Sequence, residues 1–125
     1  MKTIYFILLS VLFVAAGQLM LKQGLINLGE LHFDLAHLSE TTHKVVTSPL
    51  IVLGITLFAL SSILWLTALS RAELSFAYPL LSIGYATVAI ASIILFKEHL
   101  SLTRFFGILI IILGVAILSL NGGEK

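Results

Sequence analysis

Four stretches of this chain, residues 3–21, 49–69, 74–96 and 105–120, are almost continuously apolar and contain no Lys, Arg, Asp or Glu. A helix rises 1.5 Å per residue, so about 20 residues cross the roughly 30 Å of bilayer hydrocarbon. Each stretch is near that length, and in lipid only a helix satisfies every backbone N–H and C=O within one segment. The fourth is short and is expected to recruit Leu102 and Thr103 at its start. The reading is an all-α integral membrane protein, one transmembrane domain over 1–125, with helices at about 3–21, 49–69, 74–96 and 103–120.

Composition excludes the soluble alternative. The chain is 59% hydrophobic and 10% charged, where soluble domains carry about 25% charged residues. A formal charge of +1 provides no basic field for nucleic acid. There is no cysteine, hence no disulfide framework and no thiolate metal site. No Ser–His–acid set, phosphate-binding glycine loop or pair of intramembrane carboxylates can be assembled, so neither an enzyme nor a cofactor is indicated.

The first stretch has the outline of a cleaved leader, with Lys2 before it and Val14-Ala15-Ala16 resembling a cleavage site. The apolar pattern nevertheless continues through Leu19, Met20 and Leu21 to Lys22, as expected of a retained span. The long connection 22–48 holds Leu31, Leu35 and Leu38 on one helical face, with Asp34, His37 and Glu40 mostly elsewhere. That pattern predicts a short amphipathic helix on the membrane surface. His32, His37 and His43 are spaced by five and six, which suits solvated interfacial histidines better than a metal site. The tail Asn121-Gly122-Gly123-Glu124-Lys125 is expected to stop the last helix and lie loose.

Four spans place both termini on one side. That side carries Lys2, Arg71 and Lys125, and the other carries Lys22, Lys44, Lys97 and Arg104. Three against four is too even for the positive-inside rule to set an orientation, and such proteins can insert both ways and pair antiparallel.

Polar groups inside a span are the natural site candidates. Gln18 and Lys22 lie four apart on one face of the first helix, an amide and an ammonium able to bond a sugar or phosphate. A helix-bridging Gln18 and a Lys22 that snorkels to the interface are the plainer readings. Pro79 removes a backbone donor and frees the carbonyl near Ser75, which predicts a kink in the third helix. Beyond it Tyr78, Ser82 and Tyr85 form one polar-aromatic stripe, with Tyr85 too deep for an interface anchor. Trp65 fits a belt or a pocket wall equally well. In the last helix Gly107 and Gly114, seven apart, leave a narrow flat face for close helix approach, as at a dimer interface.

With these residues in view, the chain resembles the drug/metabolite transporter superfamily in its short four-helix form. It is most similar to the 4-amino-4-deoxy-L-arabinose–phosphoundecaprenol flippase subunits. The resemblance rests on Ala16-Gly17-Gln18 followed by Lys22-Gln23, on Leu64-Trp65-Leu66, on Ala77-Tyr78-Pro79-Leu80-Leu81-Ser82, and on Glu98-His99-Leu100-Ser101. It covers nearly the whole chain except the long first loop. It implies a multi-pass protein of the bacterial inner membrane that translocates an undecaprenyl-phosphate-linked sugar, with the lipid tail left in the bilayer. Gln18, Tyr78, Ser82 and Tyr85 would line the path, with Trp65 and Glu98 beside it, and Lys22 and Arg71 would gather the phosphate. The partners implied are membrane lipids and a second copy or a similar subunit.

The chain is also similar to the small multidrug resistance family, whose fourth-helix glycine repeat matches Gly107 and Gly114 and whose members pair as antiparallel dimers. That family's first-helix glutamate would fall at about Val14 and its third-helix tryptophan at about Leu81. A valine cannot exchange a proton against a cation. An exporter of small cationic solutes and a non-transporting partner subunit are the two alternatives.

Overall fold

The computed structural model describes residues 2–31 and 34–120, with backbone alone at Lys2. The helices run α1 (Lys2–Leu28), α2 (Leu38–Thr47), α3 (Pro49–Leu69), α4 (Leu74–Leu80), α5 (Ser82–Phe96) and α6 (Leu102–Ser119). α4 and α5 together form one span, Leu74–Phe96, so four helical spans cross the membrane. The fold class is the expected one. The tail 121–125 and His32 lie outside the described residues.

The first helix is longer than its apolar run. It passes Lys22 and ends at Leu28, where Gly29 takes φ +77° and its N–H bonds to the Leu25 carbonyl at 3.0 Å. A left-handed residue just beyond the last turn is the usual helix stop, and glycine reaches that conformation without a Cβ clash. Lys22 does not end the helix: lysine is a good helix former, and its ammonium pairs with a carboxylate described below.

The amphipathic helix also departs from expectation. It begins at Leu38 rather than near Leu31. The Asp34 carboxylate accepts from the His37 backbone N–H at 3.0 Å and lies 2.8 Å from His37 Nδ1, which folds 34–37 into a turn instead. Asp commonly diverts the backbone this way. α2 then lays Thr41 and Val45 toward α3, with Lys44 pairing Glu40 at 2.7 Å on its outer side. Ser48, extended before Pro49, ends α2 and starts α3 with no intervening loop.

Helix α1 is the hub. It packs against α3, α4 and α5, whereas α6 rests mainly on α4 and α5. In α1 28% of the span is buried, against 6% in α6. The α1–α3 seam is the closest in the molecule. A Cβ on Gly17 would stand 2.9 Å from the Gly54 carbonyl oxygen, and one on Gly24 would stand 2.6 Å from Ile51 Cγ1. Two backbones in contact gain dispersion along their length, which drives association where lipid removes the hydrophobic effect between helices.

The core lies toward the N-terminal end of α1. Ile7, Val11, Ala68, Ala77, Leu80 and Val115 are buried together there. Toward Lys22, α1 stays against α3 through Gly17 and Gly24, while cavities open on its side facing α5 and α6.

Topology follows directly. Within one molecule, Ser39→Cys and Ser101→Cys are expected to react with a membrane-impermeant maleimide from one face, and Ser70→Cys from the other. Reaction of Ser70→Cys and Ser101→Cys from the same face of a uniformly inserted population is an outcome four spans do not allow.

Candidate functional site

Three sequence spacings build the site. On α1, Ser10, Val14, Gln18 and Lys22 recur every four residues; on α3, Phe58, Ser61, Ser62 and Trp65 share a face; on α5, Gly84, Tyr85 and Val88 do the same, with Leu81 just before it. Apart from Lys22, these residues line one cavity of about 300 Å³, with α1 as its floor and α3 and α5 as its walls. A second cavity of about 480 Å³ continues from it between α1, α5 and α6, sharing Gln18, Tyr85 and Val88. It ends at Glu98, His99 and Arg104. The two form a groove running from the closed core toward the α5–α6 turn.

The closed half carries hydroxyls. Ser10 donates to the Ile7 carbonyl at 2.7 Å, and Ser61 and Ser62 both donate to the Phe58 carbonyl, at 2.7 and 3.0 Å. Their protons are used within their own helices, so the oxygens remain as acceptors. Gln18 adds a neutral amide, and Tyr85, 65% exposed, stands at the junction of the two cavities.

The open half carries charge. Lys97 ends α5 in the left-handed region at φ 53°, which reverses the chain and brings Glu98 back to α1. Lys22 Nζ donates to Glu98 Oε1 at 2.8 Å and also sits 5.6 Å from the Phe96 ring centre. The hydrogen bond from Lys22 holds the Glu98 carboxyl below the usual carboxylate range, against partial desolvation, and Arg104 adds to the lowering. The stability this pair contributes is present at neutral pH and is lost as pH falls through the lowered value. Ser101 starts α6 by accepting from the Arg104 N–H at 3.3 Å, which sets the guanidinium beside the cavity.

Of the expected site residues, Gln18, Trp65, Tyr85 and Glu98 line the groove, and Lys22 joins it through Glu98. Tyr78, Ser82 and Arg71 are not among the lining residues. The third span breaks at Leu81, two residues past Pro79, and the Ser82 hydroxyl donates to the Pro79 carbonyl across the break. Tyr78 instead meets Trp65 edge-on at 5.6 Å and buttresses that wall. Arg71 lies over the Phe6 ring, 5.7 Å from its centre, beside the start of α1 and away from Lys22. Gly107 borders the second cavity, and neither it nor Gly114 would place a Cβ within 4 Å of another group.

Sequence reasoning missed Ser10, Ser61, Ser62 and Arg104. The eight residues from Ser10 to Gln18, two four-residue steps along one face, were the available signal for the first. Serines that bond their own helix are so common in membrane spans that the others carried none.

A helical membrane bundle with a polar groove among apolar spans has the build of a small carrier. The EamA-like transporter family matches residues 31–120, and the chain belongs to that family. It is also similar to probable 4-amino-4-deoxy-L-arabinose-phosphoundecaprenol flippase subunits named ArnF. That of Aeromonas hydrophila is 38% identical over 97% of this chain and 82% of its own length. Those of Serratia proteamaculans and Photorhabdus laumondii are 37% and 34% identical, covering 93% and 90% of this chain and 91% and 92% of their own. No solved structure matches.

Proposed function

We propose that the chain is a subunit of a bacterial inner-membrane flippase for an undecaprenyl-phosphate-linked aminosugar. The polar head travels the groove while the polyprenyl tail stays in lipid, and no covalent bond is made or broken. The observation that carries this reading is the convergence of Ser10, Gln18, Ser61, Ser62 and Tyr85 on one groove between otherwise apolar helices. A row of neutral acceptors and amides matches sugar hydroxyls, and relatives along nearly the whole chain are named for that substrate. The groove counts against proton-coupled drug export. Val14, where the multidrug family carries its glutamate, lines it and cannot titrate, and Leu81 offers no aromatic ring where that family carries its tryptophan.

The test is reconstitution of the full chain, alone and with a similar subunit, in liposomes loaded with the aminosugar lipid in one leaflet. Appearance of the amine in the opposite leaflet, read by an impermeant amine reagent, is the expected result. Export of quaternary ammonium dyes with no lipid movement would move the protein to the exporter reading.

The pathway is completed by a second subunit on α6, whose outward face is apolar from Phe105 through Ile117 and whose glycines would place a Cβ within 4 Å of nothing among the described residues. Gly114→Leu is expected to reduce the dimer fraction in detergent while leaving the monomer's thermal stability unchanged. An unaltered dimer fraction would assign pairing to another face.

A further inference from the structure

Glu98 is the only acid among the residues lining the two cavities. Its partner Lys22 and its neighbour Arg104 make two cations against one anion at the open end of the groove. Arg104 has no carboxylate within ion-pair distance among the described residues, and its guanidinium reaches only the His99 carbonyl, at 3.5 Å. The site therefore has a surplus positive charge with no counter-ion among the described residues.

The Lys22–Glu98 pair is also accessible. The two side chains are 50% and 36% exposed, and exposed pairs contribute little to stability. Such a pair opens readily if an incoming ligand replaces both halves. A cation alone would displace Lys22 and leave it unpaired, and an anion alone would do the same to Glu98. A ligand bearing both charges leaves nothing unpaired: its ammonium takes the carboxylate, and its phosphate takes Lys22 and Arg104.

We infer that the Lys22–Glu98 pair is an exchangeable latch that selects head groups carrying both an ammonium and a phosphate, with Glu98 the residue that reads the amine. This inference rests on the proposed function for its ligand and adds what that reading leaves out, namely how an aminated lipid is told from a neutral one. A carboxylate–ammonium contact covered by the bound lipid is stronger than the exposed pair it replaces, and it is lost entirely when the amine is acylated. Arg104 complements it, because a guanidinium holds phosphate oxygens in a fork.

The experiment is equilibrium binding to the full chain in lipid nanodiscs. Two probes are used: a short-chain polyprenyl phosphate bearing a 4-amino-4-deoxy sugar, and its N-acetylated form. Wild-type protein is expected to prefer the amino probe by roughly ten- to hundred-fold. Glu98→Gln should abolish the preference by weakening the amino probe alone, while Glu98→Asp should retain it and so control for folding. If Glu98→Gln weakens both probes equally, the pair is only a strap between α1 and the α5–α6 turn, and the inference fails while the flippase reading stands. If the preference survives Glu98→Gln, the amine is read elsewhere, with the same consequence. Failure of wild-type protein to bind either probe would overturn the flippase reading itself.

Discussion

Gly54→Leu is expected to take the α1–α3 seam apart. Even the first carbon of the new side chain would stand 2.8 Å from Leu21 Cγ and 2.9 Å from the Gly17 carbonyl oxygen. The leucine tip of the neighbour can turn aside, but the carbonyl belongs to the helix and cannot. The helices must therefore separate along a contact that includes Gly17 and Gly24. Overpacking in a close-packed interior costs about 1–3 kcal/mol where side chains absorb it. Backbone-to-backbone contact leaves no such outlet, so the loss should reach or exceed the top of that range. Because α1 is also the floor of the groove, transport should fall with the fold. The measurement is yield of monodisperse protein in mild detergent and its thermal unfolding, beside Gly114→Leu, whose added side chain meets open space. Equal behaviour of the two variants would show that α1 and α3 do not approach as closely as described.

Gln18→Leu combined with Tyr85→Phe is expected to nearly abolish transport in a protein that still folds. Gln18 and Tyr85 border both cavities, so every route through the groove passes them. The first change removes an amide and retains an apolar side chain suited to lipid; the second removes one hydroxyl at almost constant volume. Each lost hydrogen bond to a head group should cost about 0.5–1.5 kcal/mol, and up to ~3 where the partner is charged. Together that is roughly five- to 150-fold in affinity for neutral partners if the two act independently, and more where a partner is charged. The assay follows movement of the aminosugar lipid in cells lacking their own flippase, with membrane abundance as the control. Full transport by the double variant would remove this groove as the pathway.

The spans were legible in the sequence because lipid imposes a length and forbids charge, and both constraints can be read residue by residue. The break after Pro79 was legible for the same local reason, since a missing N–H needs no tertiary context. Boundaries near polar residues were less so. Lys22 reads as the end of a span, yet α1 continues for six residues beyond it, and its ammonium meets Glu98, 76 positions away. The start of α2 was misplaced because one Asp34 carboxylate outweighs an amphipathic pattern when it bonds the backbone three residues on.

Which faces meet was not legible. In water an apolar stripe marks the buried side of a helix, but in lipid the outer side is equally apolar and the stripe disappears. Gly107 and Gly114 looked like the close-contact glycines, yet within the chain that role falls to Gly17, Gly24 and Gly54. Tyr78, Ser82 and Tyr85 looked like one polar row, and the break at Leu81 turns only Tyr85 toward the groove, leaving Ser82 on the Pro79 carbonyl and Tyr78 on Trp65. The sequence by itself determined that this is a four-span helical protein with a few polar side chains held inside the membrane. Only the tertiary structure decided how each helix is rotated, and so which of those side chains share a groove, because rotation is set by the fit of small residues across helix pairs rather than by contrast with the solvent.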